Sequence, residues 1–412
     1  MPDEHVRSAD PDTNQAIEHE EELQQTSLMM IASENIATPA VQEAQGSVLT
    51  NRNALGYPGS RLYPGAENID EIESLAIEYA KDLWGADHVN VQPHSGSLAN
   101  LAVYLAVLEP GDTILSLDPS DGGHITHGSD LHVSGDLYDT EYYHLDTDTG
   151  RLNYDEIAQR AETVDPDMII SGYSTYPREI DWQQIQETAD TADAYHLADI
   201  AHLSGLIAAD RYPSPVGVAD FCTGSTYKTI RTGRGGFILS DEEYAEAIDT
   251  ALFPRLQGGA AMPNIAGKAV GFAEALKPTF TEYIDRVIAN ARSLAASLSD
   301  HGIRVMTDGT DTHIVLIDLQ ESHHNIAGSE AEQALEAAGV IANKASVPND
   351  PRQPSDASGL RFGTTNLTAQ GFTESDMEAI AEWIVRALDN IREEHELELI
   401  ATEIESLCQT YQ

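Results

Sequence analysis

Short apolar runs alternate with helical stretches from residue 41 to about residue 276. The candidate strands are residues 89–92, 113–117, 168–174, 195–200, 221–223 and 236–239. This alternation is typical of a doubly wound α/β domain. Ser, Asp, His or Thr residues lie at or near the ends of several candidate strands, and ligands bind at the carboxyl ends of strands in such sheets. We therefore expect a ligand site at that edge.

From about residue 281 the pattern changes to helix, strand and helix, which predicts a second, smaller α/β domain. The segments that carry this pattern are EYIDRVIANARSLAASL, THIVLIDL, SEAEQALEAAG and ESDMEAIAEWIVRAL. Residues 1 to about 27 are charged and Gln-rich around the helical stretch AIEHEEELQQ, and are typical of an arm that packs on something else. The sequence thus predicts an arm at residues 1–27, a large domain at 28–276 and a small domain at 277–412.

The chain is strongly acidic: of its 412 residues, 69 are Asp or Glu and 22 are Lys or Arg, so the formal net charge is −47. Because 41% of the residues are hydrophobic, the composition is typical of a globular protein. We therefore expect the acidic residues to lie on a folded surface. Such a charge repels nucleic-acid phosphates and anionic membrane surfaces, so we expect neither as a partner. The function classes that remain are a soluble enzyme and a binding protein.

The polar N-terminal residues and the lack of a long apolar run predict a cytoplasmic protein. The first ten residues, MPDEHVRSAD, are polar and acidic, and no apolar run reaches the roughly 18 residues of a membrane span. Cys222 lies in an apolar run and Cys408 lies near the end of the chain, which argues against a disulfide framework or a cysteine metal site.

Lysine is scarce, with five residues at positions 81, 228, 268, 277 and 344. A saline cytoplasm would explain both this scarcity and the acid excess, because concentrated salt screens the repulsion between dense carboxylates. The alternative is an ordinary acidic protein.

The segment VNVQPHSGSLANLAVYLAVL combines a short strand with Ser95, Gly96 and Ser97 at the start of a helix of small residues. Backbone N–H groups at a helix start, next to hydroxyls and a glycine, can bind an anion. The alternative is an ordinary helix N-cap.

Two further residues complete a possible cofactor site. Asp199, with His202, ends an apolar strand in YHLADIAHLSG, where a carboxylate can pair with a protonated pyridine nitrogen or simply cap the next helix. Lys228 follows another strand in FCTGSTYKTIRTGRGG, where burial and nearby arginines would lower its pKa and favour a Schiff base with an aldehyde; the alternative is a surface lysine. A phosphate cradle, an aspartate and a lysine match what pyridoxal phosphate requires.

From about Leu28 to Asn390 the chain resembles the serine hydroxymethyltransferase family in motif order and spacing. The motifs are MMIASENIATPAV, LGYPGSRLYPGAENIDEIE, VNVQPHSGSLAN, GGHITHG, DIAHLSGL, STYKTIRTGRGG, FPRLQGGAAM, NKASVPNDP and SGLRFGTT. The resemblance implies a fold-type I pyridoxal phosphate enzyme, with a large doubly wound mixed-sheet domain and a smaller C-terminal α/β domain. It also implies a homodimer or homotetramer in which two chains build each active site.

The resemblance assigns roles toward the cofactor to four central residues. Lys228 would hold the cofactor covalently, and Asp199 would pair with its pyridine nitrogen. His202 would contact the ring hydroxyl, and His124 would stack on the ring. The remaining cofactor contacts would come from Ser95, Gly96, Ser97, Ser174 and, in the partner chain, Gly259.

Three residues would act on a small amino-acid substrate. The resemblance implies that Arg361 clamps the substrate carboxylate bidentately, with Ser33 beside it. Tyr63, from the partner chain, would help proton transfer near the lysine. His124 and His127 could instead form an H-x-x-H metal pair, but no further Cys or carboxylate completes a site in the sequence, so we expect no metal.

The departures from the family cluster on its folate side. A Tyr-Ala-Glu-Gly stretch is replaced by Asn-Ala-Leu-Gly, so Leu55 stands where the family has a glutamate that assists transfer to tetrahydrofolate. The pterin-contacting asparagine falls at Ala345, a folate-pocket leucine falls at Pro119, and Tyr227 replaces the histidine before the lysine. Tetrahydrofolate is therefore a doubtful co-substrate.

Three functional interpretations follow. The first is a serine hydroxymethyltransferase-type enzyme that reversibly cleaves serine or a related β-hydroxy-α-amino acid to glycine and an aldehyde or one-carbon unit. The second is a folate-independent aldolase or transaldolase, similar to threonine aldolase. The third is a catalytically silent binding or regulatory relative, which the presence of Lys228 disfavours.

Removing salt should lower the thermal unfolding midpoint, because the repulsion among surface carboxylates is then no longer screened. Calorimetry or circular dichroism across a salt series measures this. A midpoint that does not change with salt would contradict the halophilic interpretation.

Overall fold

The computed structural model of the protein describes residues 4–322 and 326–411. Its helices are α1 (Glu4–Ala9), α2 (Pro11–Thr26), α3 (Pro39–Gln45), α4 (Glu67–Trp84), α5 (Gly96–Val107), α6 (Val133–Leu137), α7 (Tyr154–Val164), α8 (Trp182–Ala192), α9 (Ser204–Ala208), α10 (Ala245–Thr250), α11 (Met262–Ala275), α12 (Pro278–Asp300), α13 (Leu319–Ser322), α14 (Gly328–Ala337), α15 (Thr365–Gln370), α16 (Glu374–Asp389) and α17 (Glu394–Cys408). Its strands are β1 (Leu28–Met29), β2 (His88–Asn90), β3 (Thr113–Leu117), β4 (Asp139–Tyr143), β5 (Met168–Ser171), β6 (Tyr195–Asp199), β7 (Phe221–Ser225), β8 (Gly236–Ser240), β9 (Arg304–Val305), β10 (Ile314–Asp318), β11 (Val340–Ile341), β12 (Asn343–Ala345) and β13 (Gly359–Gly363).

In the described part of the chain, seven strands form the larger sheet in the order β2-β8-β7-β6-β5-β3-β4. The adjacent strands β7, β6, β5, β3 and β4 all run parallel to one another. Strand β8 is antiparallel to both of its neighbours, β7 and β2. The carboxyl ends of β2, β3, β5, β6 and β7 therefore meet the start of β8 at one edge. This mixed sheet confirms the predicted α/β fold class, although β4 was not among the candidate strands.

Successive side chains along the buried strands of this sheet point into two different hydrophobic layers. On β5, Met168 and Ile170 belong to one buried cluster and Ile169 to another. On β6, Leu197 belongs to the same cluster as Met168, and Ala198 belongs to the same cluster as Ile169. Because both faces are covered, these strands appear in the sequence as continuous apolar runs instead of alternating ones.

The C-terminal part of the chain has its own antiparallel sheet, in the order β12-β13-β10-β9. Its core also includes Leu28 and Met30, because β1 pairs in parallel with β11. Helix α12 contacts both cores: its first half packs with the large sheet and its second half packs with the small one. The domain limits of 27/28 and 276/277 stay predictions.

Two features concern the outside of the fold. Helix α2, within the predicted N-terminal arm, contacts α17. Among the helices in residues 4–322 and 326–411, none combines the length and the apolar character that crossing a bilayer requires.

Candidate active site

A cavity of about 150 Å³ opens at the edge where the strand ends meet. It brings together most of the predicted cofactor residues, which come from five different strand ends or loops. The lining consists of Ser95, Gly96, Ser97, His124, His127, Gly172, Tyr173, Ser174, Asp199, Ala201, His202, Ser225, Tyr227, Lys228 and Arg234. The cavity thus lies at the carboxyl edge of the sheet, where the sequence predicts a ligand site.

The start of α5 forms one wall of the cavity. Ser95 is the N-cap, and its Oγ accepts a hydrogen bond from the Leu98 backbone N–H at 3.2 Å. A Cβ at Gly96 would lie 2.7 Å from the Ser225 Oγ, so only glycine fits without displacing that side chain. The remaining N–H groups of this first turn carry a partial positive charge, which suits an anion such as a phosphate.

Asp199 ends β6 and is largely buried. Its Oδ2 accepts hydrogen bonds from Asn100 Nδ2 at 2.9 Å and contacts His127 Nε2 at 3.1 Å, and its Oδ1 accepts from the Ala201 backbone N–H at 2.9 Å. Burial opposes ionisation, but the hydrogen bond and charge of His127 and the Asn100 hydrogen bond together hold the pKa of this carboxyl well below its ordinary value. The site therefore contains a fixed negative charge at neutral pH.

His124 and His127 lie next to each other, with ring centroids 5.6 Å apart. Burial, and then the charge of His127, lowers the pKa of His124 to about 3, so its imidazole is neutral at neutral pH. The sequence offered no third ligand for a metal at this pair, but the fold places Asp199 there: the ligand atoms of all three residues lie within 4.8 Å of one another. The expectation of no metal stays a prediction.

Lys228 follows β7 and is 6% exposed. Within the described residues its amine donates no hydrogen bond. Burial, with the charges of Arg361 and Arg234, lowers its pKa to about 8 against the opposing attraction of Asp199. The amine is thus partly neutral near physiological pH and free to react with an aldehyde.

His202 is buried and stacks on His313, with ring centroids 5.5 Å apart and an angle of 18° between the ring planes. Burial, followed by the charges of Lys228 and Arg361, lowers the pKa of His202 well below its ordinary value. The Nδ1 of His313 has no hydrogen-bond partner among the described residues.

Arg361 lies on β13, beside the cavity wall. Its Nη1 donates to the Ser174 carbonyl at 2.7 Å, and its Nε and Nη2 donate to Asn343 Oδ1 at 3.2 and 3.0 Å. Burial lowers the pKa of Arg361 to about 10. It forms no ion pair with a carboxylate in the described part of the chain, so its charge is available to a ligand.

Besides Arg361, which lies beside the cavity wall, three predicted residues do not line the cavity of this chain. Tyr63 is 50% exposed. Gly259 lies beside Leu55, whose Cδ2 is 3.4 Å from the position that a Cβ on this glycine would take. Ser33 follows Ala32, whose carbonyl contacts His313 Nε2 at 3.1 Å.

Sequence reasoning missed several residues that hold the site together. His127 was considered only as a metal ligand and not as the partner of Asp199. Asn100, His313 and Asn343 were not singled out. The HITH motif is a visible signal for His127, whereas the other contacts depend on elements far apart in the chain.

Comparison with known proteins identifies relatives of this chain. A family profile described as "Serine hydroxymethyltransferase" matches residues 6–384. A protein named serine hydroxymethyltransferase from Halorubrum lacusprofundi is 53% identical over 408 residues, which cover 99% of this chain and 98% of that protein.

Further relatives with the same name span equally large parts of the chain. The Halobacterium salinarum protein is 52% identical and covers 98% of both chains, and the Alkalilimnicola ehrlichii protein is 47% identical over 98% of this chain and 96% of its own. The two haloarchaeal relatives fit the halophilic interpretation of the acidic surface. The chain therefore belongs to the serine hydroxymethyltransferase family, a family of pyridoxal phosphate-dependent enzymes, as its motifs predicted.

Proposed function

We propose that this protein catalyses the reversible aldol cleavage of serine or a related β-hydroxy-α-amino acid, with pyridoxal phosphate held by Lys228. In this reaction the bond between Cα and Cβ breaks, the β-hydroxyl loses its proton and Cα gains one, which gives glycine and an aldehyde. The observation that carries the proposal is the single cavity in which the Lys228 amine, the Asp199 carboxylate and the Ser95–Ser97 turn meet.

The residues present fit this cofactor. The first turn of α5 suits the phosphate, and Gly96 lets this turn approach Ser225, whose Oγ a Cβ would meet at 2.7 Å. The ionised and buried Asp199 suits a protonated pyridine nitrogen, because a buried carboxylate requires an opposite charge. When bound, pyridoxal phosphate supplies an aldehyde for covalent linkage and a cationic ring that withdraws electrons from the α-carbon of the substrate.

The chain's own residues would position the cofactor and move protons. Asp199 keeps its negative charge facing the ring nitrogen, and the neutral His124 can lie against the ring without repelling a cation there. Lys228, with a pKa of about 8, can bind and release a proton at Nζ near neutral pH, which suits a general acid or base.

Arg361 would bind the substrate carboxylate. A guanidinium has five N–H donors, and three of them bind the Ser174 carbonyl and Asn343 Oδ1. One N–H on each terminal nitrogen remains, which allows a bidentate interaction with a carboxylate. Ser33 would assist beside it.

A second chain would complete the site. Tyr63 and Gly259 are expected at the cofactor, but in this chain they lie outside the cavity. A homodimer or homotetramer in which each chain supplies these residues to its neighbour accounts for their position.

A folate-independent aldolase is the second candidate. Leu55 places its Cδ2 methyl beside Gly259, at the position where the resemblance expects a glutamate. Ala345 lies in a small apolar cluster with Met306, Leu316 and Val347, and has no amide with which to contact a pterin. These observations favour chemistry on the amino acid without transfer of the one-carbon unit to tetrahydrofolate.

One assay tests the cofactor and the reaction together. Purified protein supplied with pyridoxal phosphate should convert serine, threonine or allo-threonine to glycine and an aldehyde. Lys228→Ala should lower the rate by about 100-fold or more, because the covalent anchor and proton carrier are lost, whereas exposed Lys277→Ala should not.

The same preparation separates the candidate functions. Borohydride reduction followed by peptide mapping should label Lys228, and an unlabelled Lys228 would overturn the proposal. Serine cleavage stimulated by tetrahydrofolate would favour the hydroxymethyltransferase, and threonine cleavage that does not respond to folate would favour the aldolase.

Arg361→Lys should raise the KM for the amino acid by roughly 10- to 100-fold, because a bidentate, charge-assisted pair of hydrogen bonds is replaced by a point charge. Steady-state kinetics with serine measure this. The control is Arg392→Lys, whose side chain is 84% exposed. An unchanged KM for Arg361→Lys would argue against the carboxylate clamp.

Leu55→Glu should increase serine cleavage in the presence of tetrahydrofolate, since a positioned general acid or base contributes about 100- to 10,000-fold. Val48→Glu introduces the same charge at a residue that is 78% exposed and serves as control. If Leu55→Glu brings no gain, the folate pocket is lost for other reasons.

A further inference from the structure

Lys268, on α11, is a buried lysine that lies outside the cavity. It is 1% exposed, although this chain contains only five lysines and a strongly acidic surface. Its Nζ donates hydrogen bonds to the carbonyl oxygens of Val91, Pro93 and Gly236 at 2.6, 3.2 and 2.8 Å. A lysine placed for solubility would not have this environment.

The three acceptors indicate the ammonium form, because only –NH₃⁺ has three N–H groups to donate. Burial favours the neutral amine and lowers the pKa of Lys268 to about 7 against the charge of Glu73, whereas the three carbonyl acceptors favour the ammonium form. Among the described residues no carboxylate forms an ion pair with the amine. The partial negative charges of three backbone carbonyls therefore provide most of its compensation.

These carbonyls belong to the backbone directly behind the phosphate cradle. Val91 and Pro93 lie between the end of β2 and Ser95, and Gly236 begins β8. The Gly236 N–H donates to the Pro93 carbonyl at 2.9 Å. A Cβ on Gly236 would also clash with the backbone at Ser95 and lie 2.9 Å from the Gly96 nitrogen.

We propose that Lys268 is a positioning residue for the cofactor phosphate, and this inference rests on the proposed function. Its ammonium fixes residues 91–95, so that the first turn of α5 presents its N–H groups to the cavity. It also binds the Val91 and Gly236 carbonyl oxygens and shares the Pro93 carbonyl with the Gly236 N–H, which offsets the negative ends of these dipoles behind the anion. The packing is tight, since a Cβ on Gly235 would lie 2.6 Å from Nζ.

The test compares cofactors with and without the phosphate. Apo forms of the full chain, wild type and Lys268→Met, are titrated with pyridoxal phosphate and with pyridoxal, and binding is followed by absorbance. Lys268→Met should weaken binding of pyridoxal phosphate by about 10-fold or more, as expected for loss of charge-assisted hydrogen bonds. Its affinity for pyridoxal should stay within about 3-fold of the wild type, a difference that lies inside the usual scatter of such effects.

Lys277→Met, at an exposed lysine, is the matched control and should change neither affinity. Equal losses for both compounds, or an unchanged affinity for pyridoxal phosphate, would overturn the inference while leaving the proposed function intact. A wild-type protein that binds neither compound would instead overturn the proposed function.

Lys268→Gln, which keeps two N–H donors without the charge, replaces Lys268→Met if that variant does not fold. The same difference between the two compounds would then support the inference. Failure of both variants to fold would assign Lys268 to fold stability and overturn a role specific to the phosphate.

Discussion

The site depends on one buried anion, the carboxylate of Asp199. A charge away from water destabilises a fold unless hydrogen bonds and opposite charges compensate for the lost hydration. Here the compensation comes from His127, Asn100 and the Ala201 backbone N–H, which lie on three separate segments. Even the neighbouring backbone is constrained, because Gly172 has a φ of +91° and a Cβ there would clash with the Asp199 carbonyl. The segments at this edge of the sheet must therefore come together before the negative charge of Asp199 is stabilised.

The cavity and the surface carry opposite charges. The chain has a net charge of −47, yet among the described residues that line the cavity Asp199 is the only carboxylate, and it faces Lys228 and Arg234. Molar salt shortens the screening length to about 3 Å, which suppresses repulsion across the surface but leaves buried contacts nearly unaffected. Adaptation to salt and chemistry at the cavity therefore depend on separate sets of residues.

The sequence predicted the parts of the fold and site that leave local signals. Buried strands such as β5 and β6 appeared as apolar runs, whereas the edge strand β4, with the sequence DTEYY, did not because it is only partly covered. Lys228 was identifiable from its flanking residues. The pairing of Asn100 with Asp199 spans 99 positions, and the hydrogen bond from Lys268 to Val91 spans 177. Such contacts form only when the chain folds, so no local sequence pattern predicts them.

Positions that match the family's motifs and positions that depart from them differ in their structural surroundings. Lys228 and Asp199 lie at buried strand ends, where a substitution would leave charges or hydrogen bonds without partners. Leu55 lies in a partly buried loop whose backbone is held independently of its side chain: its carbonyl accepts from the Leu62 N–H at 3.0 Å. A change of side chain at position 55 therefore alters the chemistry available beside Gly259 without disturbing the core. Cleavage of the amino acid and transfer to folate can therefore diverge, because the residues assigned to them lie in parts of the fold with such different constraints.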